Sequence, residues 1–270
     1  MRPRSVILDL FGDYIRYHGG RIRLRALAAL ASDFGVSPGT TRVVAARMRR
    51  EGWLSAHRVG RETMYGLTPA ALRMLDEGRE RIFTRLRDPW DGQWSMVIYS
   101  VPETDRPARE RLRKTLAWLG FGPLAPSTWI CPHNRLSEVA EALADLDGVR
   151  LDLLTVRSSG PPADRALAMR CWALTALNED YQSFVRRYRH RLGDWRRRRL
   201  SGAEALVERV ALVSEYRKFP FRDPDLPVEL LPAGWVGHDA HEIFLEAHKL
   251  LLDPAEAHYL DIVQPSGRNE

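Results

Sequence analysis

Ser37-Pro38-Gly39-Thr40-Thr41-Arg42 opens the stretch, running to Gly66, whose reading decides the fold. Serine followed by proline marks a helix start, because the Ser hydroxyl can accept from an orphan amide and proline has no amide to leave orphaned. Val44, Ala45 and Met48 then recur at helical spacing, while Arg42, Arg47, Arg49 and Arg50 fall largely off that apolar stripe. Glu51-Gly52 ends the helix, since glycine takes the left-handed cap conformation without steric penalty. Two short β-favouring runs follow, Trp53–Val59 and Thr63–Leu67, around Gly60-Arg61-Glu62, and they read as a hairpin. A short basic helix leading directly into a hairpin with arginine at its tip is the layout of a winged helix-turn-helix. Such a helix fits the major groove of duplex DNA, and the hairpin reaches the phosphates beside it.

Upstream, Ser5 is positioned to cap a helix over Val6–Tyr17 with Ile7, Leu10, Phe11 and Tyr14 on one face, and Gly19-Gly20 breaks it. Leu24, Leu27, Ala28, Ala31 and Phe34 form a second amphipathic helix that stops at Gly35. Downstream, Thr68-Pro69 opens a further helix to about Arg87, with Leu72, Leu75, Ile82, Phe83 and Leu86 along one stripe, as a connector or a dimer helix. Charge follows the same division. Up to Asp88 the chain holds 17 arginines against 9 acidic residues, a net of +8, whereas the whole chain of 270 residues carries +6. The remainder is therefore slightly acidic, and the basic excess lies where counterion release at DNA requires it.

The length implies two or three domains, and 44% hydrophobic residues suffice for real cores. No apolar run approaches membrane-spanning length, and the N-terminal residues lack the apolar core expected of a signal peptide. Cys131 and Cys171 are the only cysteines and stand far apart, which supports neither a disulfide framework nor a zinc ribbon. A cytoplasmic location is expected. Asp88-Pro89 interrupts the fourth helical pattern, and a second domain begins near Trp90. Trp94–Val101 is a nearly continuous apolar strand, the mark of burial on both faces. The helical patterns at Arg106–Leu119 and Leu136–Leu146, with strands at Phe121–Leu124, Thr128–Cys131 and Val149–Val156, complete the order β-α-β-β-α-β of a ferredoxin-like fold. Ser158-Ser159-Gly160-Pro161-Pro162 reads as a linker, and the chain beyond is helical. There Leu177, Tyr181, Phe184, Tyr188, Leu192 and Trp195 form a long stripe, read as core or dimer seam, with the basic run Arg196–Arg199 at its end. A helix over Ala203–Phe219, an irregular Pro-rich segment, and a last helix from about Asp239 to Leu252, stopped by Asp253-Pro254, close the chain. The fold class expected is α+β multidomain, with a winged helix over residues 1–88, a ferredoxin-like domain over 89–158 and an all-helical domain over 159–270.

The string Glu215-Tyr216-Arg217-Lys218-Phe219-Pro220, Asp223-Pro224-Asp225-Leu226-Pro227, Leu230-Leu231-Pro232 and Trp235-Val236-Gly237 resembles the phenylacetic-acid-responsive transcriptional repressors, the PaaX family. Trp172, Leu177-Asn178, Tyr181, Phe184, Trp94-Ser95 and Ser127-Thr128-Trp129 match as well, so the resemblance covers essentially the whole chain. It implies a GntR-like winged-helix head, a ferredoxin-like middle domain, a helical C-terminal domain and a homodimer on a double-stranded promoter operator. It also implies release by an acyl-coenzyme A thioester, phenylacetyl-coenzyme A in the best-known members. The middle domain further resembles the small ferredoxin-like nucleases of CRISPR adaptation, with Tyr99-Ser100 where those carry Tyr-Asp. The position of their metal-binding carboxylate is thus held by serine, which lacks the charge that would hold a divalent ion against phosphate and argues against nuclease activity.

The residues expected at the DNA are Ser37, Thr40, Thr41, Arg42, Arg47, His57 and Arg61. Tyr216, Arg217, Arg222 and Trp235 are expected at the effector, where arginine forks and aromatic faces suit phosphates and adenine. No catalytic residue, cofactor or metal ligand set is expected. His241-Glu242 begins like a zincin motif, but Leu245 stands where the second histidine belongs, and His238, His241 and His248 lack a third-ligand pattern. Cys131-Pro132-His133 puts a thiol near an imidazole on adjacent loop positions, where catalytic pairs rarely form. The reading is a dimeric, ligand-responsive repressor rather than an enzyme. The alternatives are an acyl-coenzyme A- or metal-dependent, nuclease-like enzyme in the last two domains, or an architectural DNA-binding protein without a ligand.

Overall fold

The computed structural model describes residues 1–85 and 89–264, so Leu86, Arg87 and Asp88 lie outside the described residues. The chain forms two compact units: Met1–Phe83 with Phe184–Lys218 and Asp239–Glu270, and Thr84–Ser183 with Phe219–His238.

The first unit contains the winged helix. Its helix α1 spans Pro3–Asp13, followed by a 3-10 turn at Ile15–Tyr17. Strand β1 (Arg21–Arg23), helix α2 (Leu24–Ser32), helix α3 (Pro38–Arg50), strand β2 (Leu54–Val59) and strand β3 (Glu62–Leu67) complete it. Helix α4 (Pro69–Phe83) starts at the expected cap, with the Ala71 amide donating to Thr68 Oγ1 at 3.2 Å. The three strands form an antiparallel sheet in the order β1-β3-β2. Two details differ from the sequence reading. The first helix begins at Pro3, with Arg2 as the extended residue before it, so Ser5 sits inside the first turn and its hydroxyl accepts from Arg217 instead of capping. Strand β1 is the other: Arg-Ile-Arg alternates, and Ile22 alone turns into the core.

Residues of helices α9 (Gly202–Tyr216) and α11 (Leu252–Val263) share one core with this head. Leu206, Val210, Ala255 and Tyr259 pack in a single cluster with Val6, Leu10, Leu27 and Met48. The sequence reading ended the last helix at Asp253-Pro254. Instead α10 (Gly237–Leu250) is followed by α11, and Pro254 lies in the first turn of that new helix, where its missing amide is no loss. Gly202 explains the tight approach of α9 to α11, since a Cβ there would stand 2.6 Å from His258 Cβ. Within this unit the aromatic stripe is core: Phe184 packs on Tyr188 and Tyr216, and Tyr216 stacks on Phe244 with ring centroids 4.1 Å apart.

The second unit is built on the ferredoxin-like domain: β4 (Trp94–Ser100), α5 (Arg106–Trp118), β5 (Gly122–Ala125), β6 (Thr128–Cys131), α6 (Leu136–Ala142) and β7 (Arg150–Val156). The sheet order β5-β6-β4-β7, antiparallel throughout, is the split βαβ arrangement. The apolar run in β4 is explained by two covers. Val97 and Tyr99 face the core with Leu112, Leu116 and Val139 of α5 and α6. Trp94 faces a second cluster with Ala168, Cys171, Leu226 and Leu230. The Ser158–Pro162 linker is shorter than read, because Pro161 and Pro162 begin helix α7 (Pro161–Cys171). Asp164 of that helix is buried and accepts from Trp94 Nε1 at 2.8 Å. Helix α8 (Leu174–Arg197) contributes its first turns to this unit.

Candidate nucleic-acid interface

The N-terminus of α3 is built as the sequence implies. Ser37 has extended backbone, φ −63° and ψ 153°, and its Oγ accepts from the Thr40 amide at 3.2 Å, with Pro38 at the first helical position. The hydroxyls of Ser37 and Thr40 also pair at 2.9 Å. Thr41 turns the other way: it is fully buried, and its Oγ1 donates to the Ser37 carbonyl at 3.1 Å. It braces the helix start and does not reach the outer face. Ala45 and Met48 join it on the buried side. The outer face shows Gly39, Thr40, Arg42, Val43, Arg47 and Arg50 to solvent.

Among those, Arg47 is already engaged. Its Nε donates to Glu51 Oε1 at 2.8 Å, and Arg4 holds the same carboxylate from the other side. The hydrogen bonds from Arg47 and Arg4 keep the Glu51 carboxyl below the ordinary range. Arg42, Arg49 and Arg50 have no carboxylate partner among the described residues. They are the cations of α3 that can meet phosphate or base edges without first breaking an ion pair.

The wing is a hairpin with a two-residue tip. Val59 pairs with Glu62, leaving Gly60 and Arg61 between them. Gly60 has φ +60°, the glycine-permitting first position of such a turn. His57, Arg58, Val59, Gly60 and Arg61 are all exposed. Glu62 fixes the base of the wing, accepting from Arg23 Nε at 3.1 Å and from Arg25 Nε at 2.9 Å. A hollow of about 520 Å³ lies between α2, the start of α3 and the wing, and both Arg42 and Arg61 line it. Thus the structure brings those two arginines to one concave surface. Arg58 adds a further exposed cation that the sequence reading did not single out, and Arg23, Arg25 and Arg4 act as supports.

The four residues expected at the effector divide between the units. In the first, Tyr216 is fully buried, with its hydroxyl 3.0 Å from His241 Nδ1. Arg217 donates to the Asp9 carboxylate and, at 2.6 Å, to Ser5 Oγ. In the second, Arg222 is exposed and paired with Asp180 at 2.7 Å, and half-buried Trp235 meets the edge of Tyr181 at a centroid distance of 5.6 Å. The Asp-Pro-Asp segment beside them is an anchor: Asp223 accepts from Arg85 at 2.8 Å, from Tyr181 Oη at 2.7 Å and from the Asp225 amide at 2.9 Å.

His248, Cys131 and His133 take structural places. His248 accepts from Arg209 Nη2 at 2.7 Å, and burial beside Arg209 pushes its pKa down to about 3. Cys131 is buried, which pushes its thiol up to about 12, and His133 Nε2 bonds to the Asp225 carbonyl at 2.9 Å. Ser100 ends β4 exposed, opposite Arg150. Among the described residues no group of three or more His, Cys, Asp or Glu is placed to hold a metal ion, and no helix is long and apolar enough to cross a membrane.

Three family models match in succession: "PaaX-like protein" over residues 2–71, "PaaX protein central Cas2-like domain" over 87–168, and "PaaX-like protein C-terminal domain" over 172–261. The chain is 31% identical over 260 residues to the "Transcriptional repressor PaaX" of Escherichia coli (strain K12), covering 94% of this chain and 81% of that one. Among solved structures it is similar to "Uncharacterized protein Rv0674 from Mycobacterium tuberculosis", with TM-score 0.65, 26% identity, and coverage of 94% and 97% of the two chains.

Proposed function

The chain belongs to the PaaX family, and from that premise we propose that it is a transcriptional repressor whose winged head binds an operator in double-stranded DNA. The observation that carries this reading is the hollow shared by Arg42 and Arg61, flanked by an outer face of α3 that presents Thr40, Arg42 and Arg50. The helix start supplies base-edge contacts and the wing tip supplies phosphate contacts. Ser37 and Thr41 hold the helix start in register, and His57 adds a contact beside the wing. Arg47 joins by exchanging Glu51 for a phosphate.

The protein acts as a homodimer in the cytoplasm. One head offers a short helix and one wing, a modest footprint, so two heads read an inverted repeat with their helices about 34 Å apart or a multiple of that spacing. Its effector is an acyl-coenzyme A thioester, phenylacetyl-coenzyme A first among them, and the regulated genes form an aromatic-acid catabolic operon. Exposed Arg222 and half-buried Trp235 are the effector contacts; Tyr216 and Arg217 secure α9 against α10 and α1. Release by 100-fold requires the thioester to prefer the non-binding state by roughly 2.7 kcal/mol, and by linkage the operator weakens thioester binding equally. Footprinting of the DNA upstream of its own coding region, with and without a panel of aryl and acyl thioesters, tests this. The expected result is a protected inverted repeat that one thioester clears without being turned over. Cleavage of the DNA or turnover of the thioester would overturn it in favour of an enzyme.

A further inference from the structure

Val43 leaves 67% of its surface in water at the middle of the outer face of α3, with Thr40, Arg42 and Arg47 around it. Single exposed valines are ordinary on protein surfaces. This one stands in the first half of the helix that, on the reading above, enters the major groove, where side chains meet base edges. A valine has no donor or acceptor and can contact neither phosphate nor a polar base edge favourably. The apolar feature that an unmodified base pair shows in the major groove is the C5-methyl group of thymine.

We propose that Val43 is a specificity-determining residue that reads a thymine through its C5-methyl group. The inference rests on the assignment of α3 to the major groove and adds the base it selects. Selection works in two directions. Val43 covers the methyl of a thymine, and against guanine or cytosine the same side chain would strip water from a base edge and return no hydrogen bond. Thr40 and Arg42, one turn and one residue before it, then meet the neighbouring bases.

The test uses the full chain and the tightest duplex it selects from a random-sequence pool. Each thymine of that duplex is replaced in turn by deoxyuridine, which removes the methyl group alone. Burial of one methyl, about 0.8 kcal/mol, corresponds to about fourfold in affinity. The expected result is one thymine per half-site at which deoxyuridine weakens the wild-type protein by about fourfold. Val43→Ala should bind the parent duplex weaker by a similar factor and be indifferent to deoxyuridine at that position. Its affinity for scrambled duplex should be unchanged, because the side chain touches no phosphate. If Val43→Ala keeps the full deoxyuridine response at every position, the assignment of Val43 is overturned while the DNA reading stands. If the wild-type protein selects no duplex from the pool, the DNA reading falls and this inference with it. Alanine at this exposed helical position favours the helix, so the variant remains folded.

Discussion

Replacing Asp9 by asparagine should stabilise the protein relative to wild type by an amount that grows between about pH 4 and pH 7. Asp9 lies on α1 with 4% of its surface exposed. Arg217 donates to its carboxylate, and the carboxyl of Asp13 lies near. Burial is the strongest influence and raises the pKa of Asp9 to about 7 from an ordinary 3.8; Arg217 opposes the shift and Asp13 adds to it. The folded protein therefore retains a proton that the unfolded chain has already released across this window. Stability from this group is fully present below about pH 4 and is lost as pH rises toward 7. Raising this pKa from 3.8 to about 7 is worth on the order of 4 kcal/mol. His248 acts with the opposite sign, since its depressed pKa makes folding disfavour its charged form as pH falls below about 6.5. The wild-type profile alone therefore conceals the effect, and the informative quantity is the stability of Asp9→Asn minus that of wild type. Urea unfolding at intervals from about pH 4 to pH 8 measures it. The two proteins should be nearly equal at the acid end, with the variant gaining by up to about 4 kcal/mol at the alkaline end. A difference that stays constant, or that shrinks as pH rises, would show that Arg217 keeps Asp9 ionised and that the reasoning is wrong.

Arg85→Ala should destabilise the second unit by about 3–5 kcal/mol, because it leaves the carboxylate of Asp223, itself 4% exposed, without its buried cation; a loss under about 1 kcal/mol in urea unfolding would show that water reaches the pair. Gly122→Ala would put a Cβ 2.6 Å from Trp172 Cε2 and 2.8 Å from Cys171 Cβ, so overpacking by about 1–3 kcal/mol is expected, read as a lower unfolding midpoint. Arg61→Ala should weaken binding to all duplexes alike and reduce the salt slope of binding by about one, and an unchanged slope would place the wing tip away from phosphate.

What the sequence disclosed and what it concealed have physical causes. The helix start at Ser37-Pro38 was legible because a cap and a proline act locally, and the hairpin because glycine at its tip leaves few alternatives. The two covered faces of β4 were legible in its apolar run. Pro161-Pro162 and Pro254 misled, since a proline that cannot continue one helix is well suited to begin the next, and the residue alone does not say which. Strand β1 is three residues long, too short for its alternation to stand out beside Gly19-Gly20. Thr41 stands at the helix start, where base edges are met, yet the helical turn carries it to the buried side with Ala45 and Met48. Val43 adjoins Val44 in sequence, and only burial separates them: Val44 packs partly buried against the core, whereas Val43 is exposed. The contacts of Tyr216 and Arg217 join residues far apart in the chain, Arg217 to Asp9 above all, and no local pattern announces such a pair.

The central claim is that the winged head reads duplex DNA through α3, and one titration tests it most directly. At a single fixed salt concentration, wild type and Arg42→Ala are each titrated with the selected duplex and with a scrambled duplex of equal length. The account predicts that wild type strongly prefers the selected duplex and that Arg42→Ala loses about 1–3 kcal/mol of that preference. Equal affinity of wild type for both duplexes, or full retention of the preference without Arg42, would contradict it.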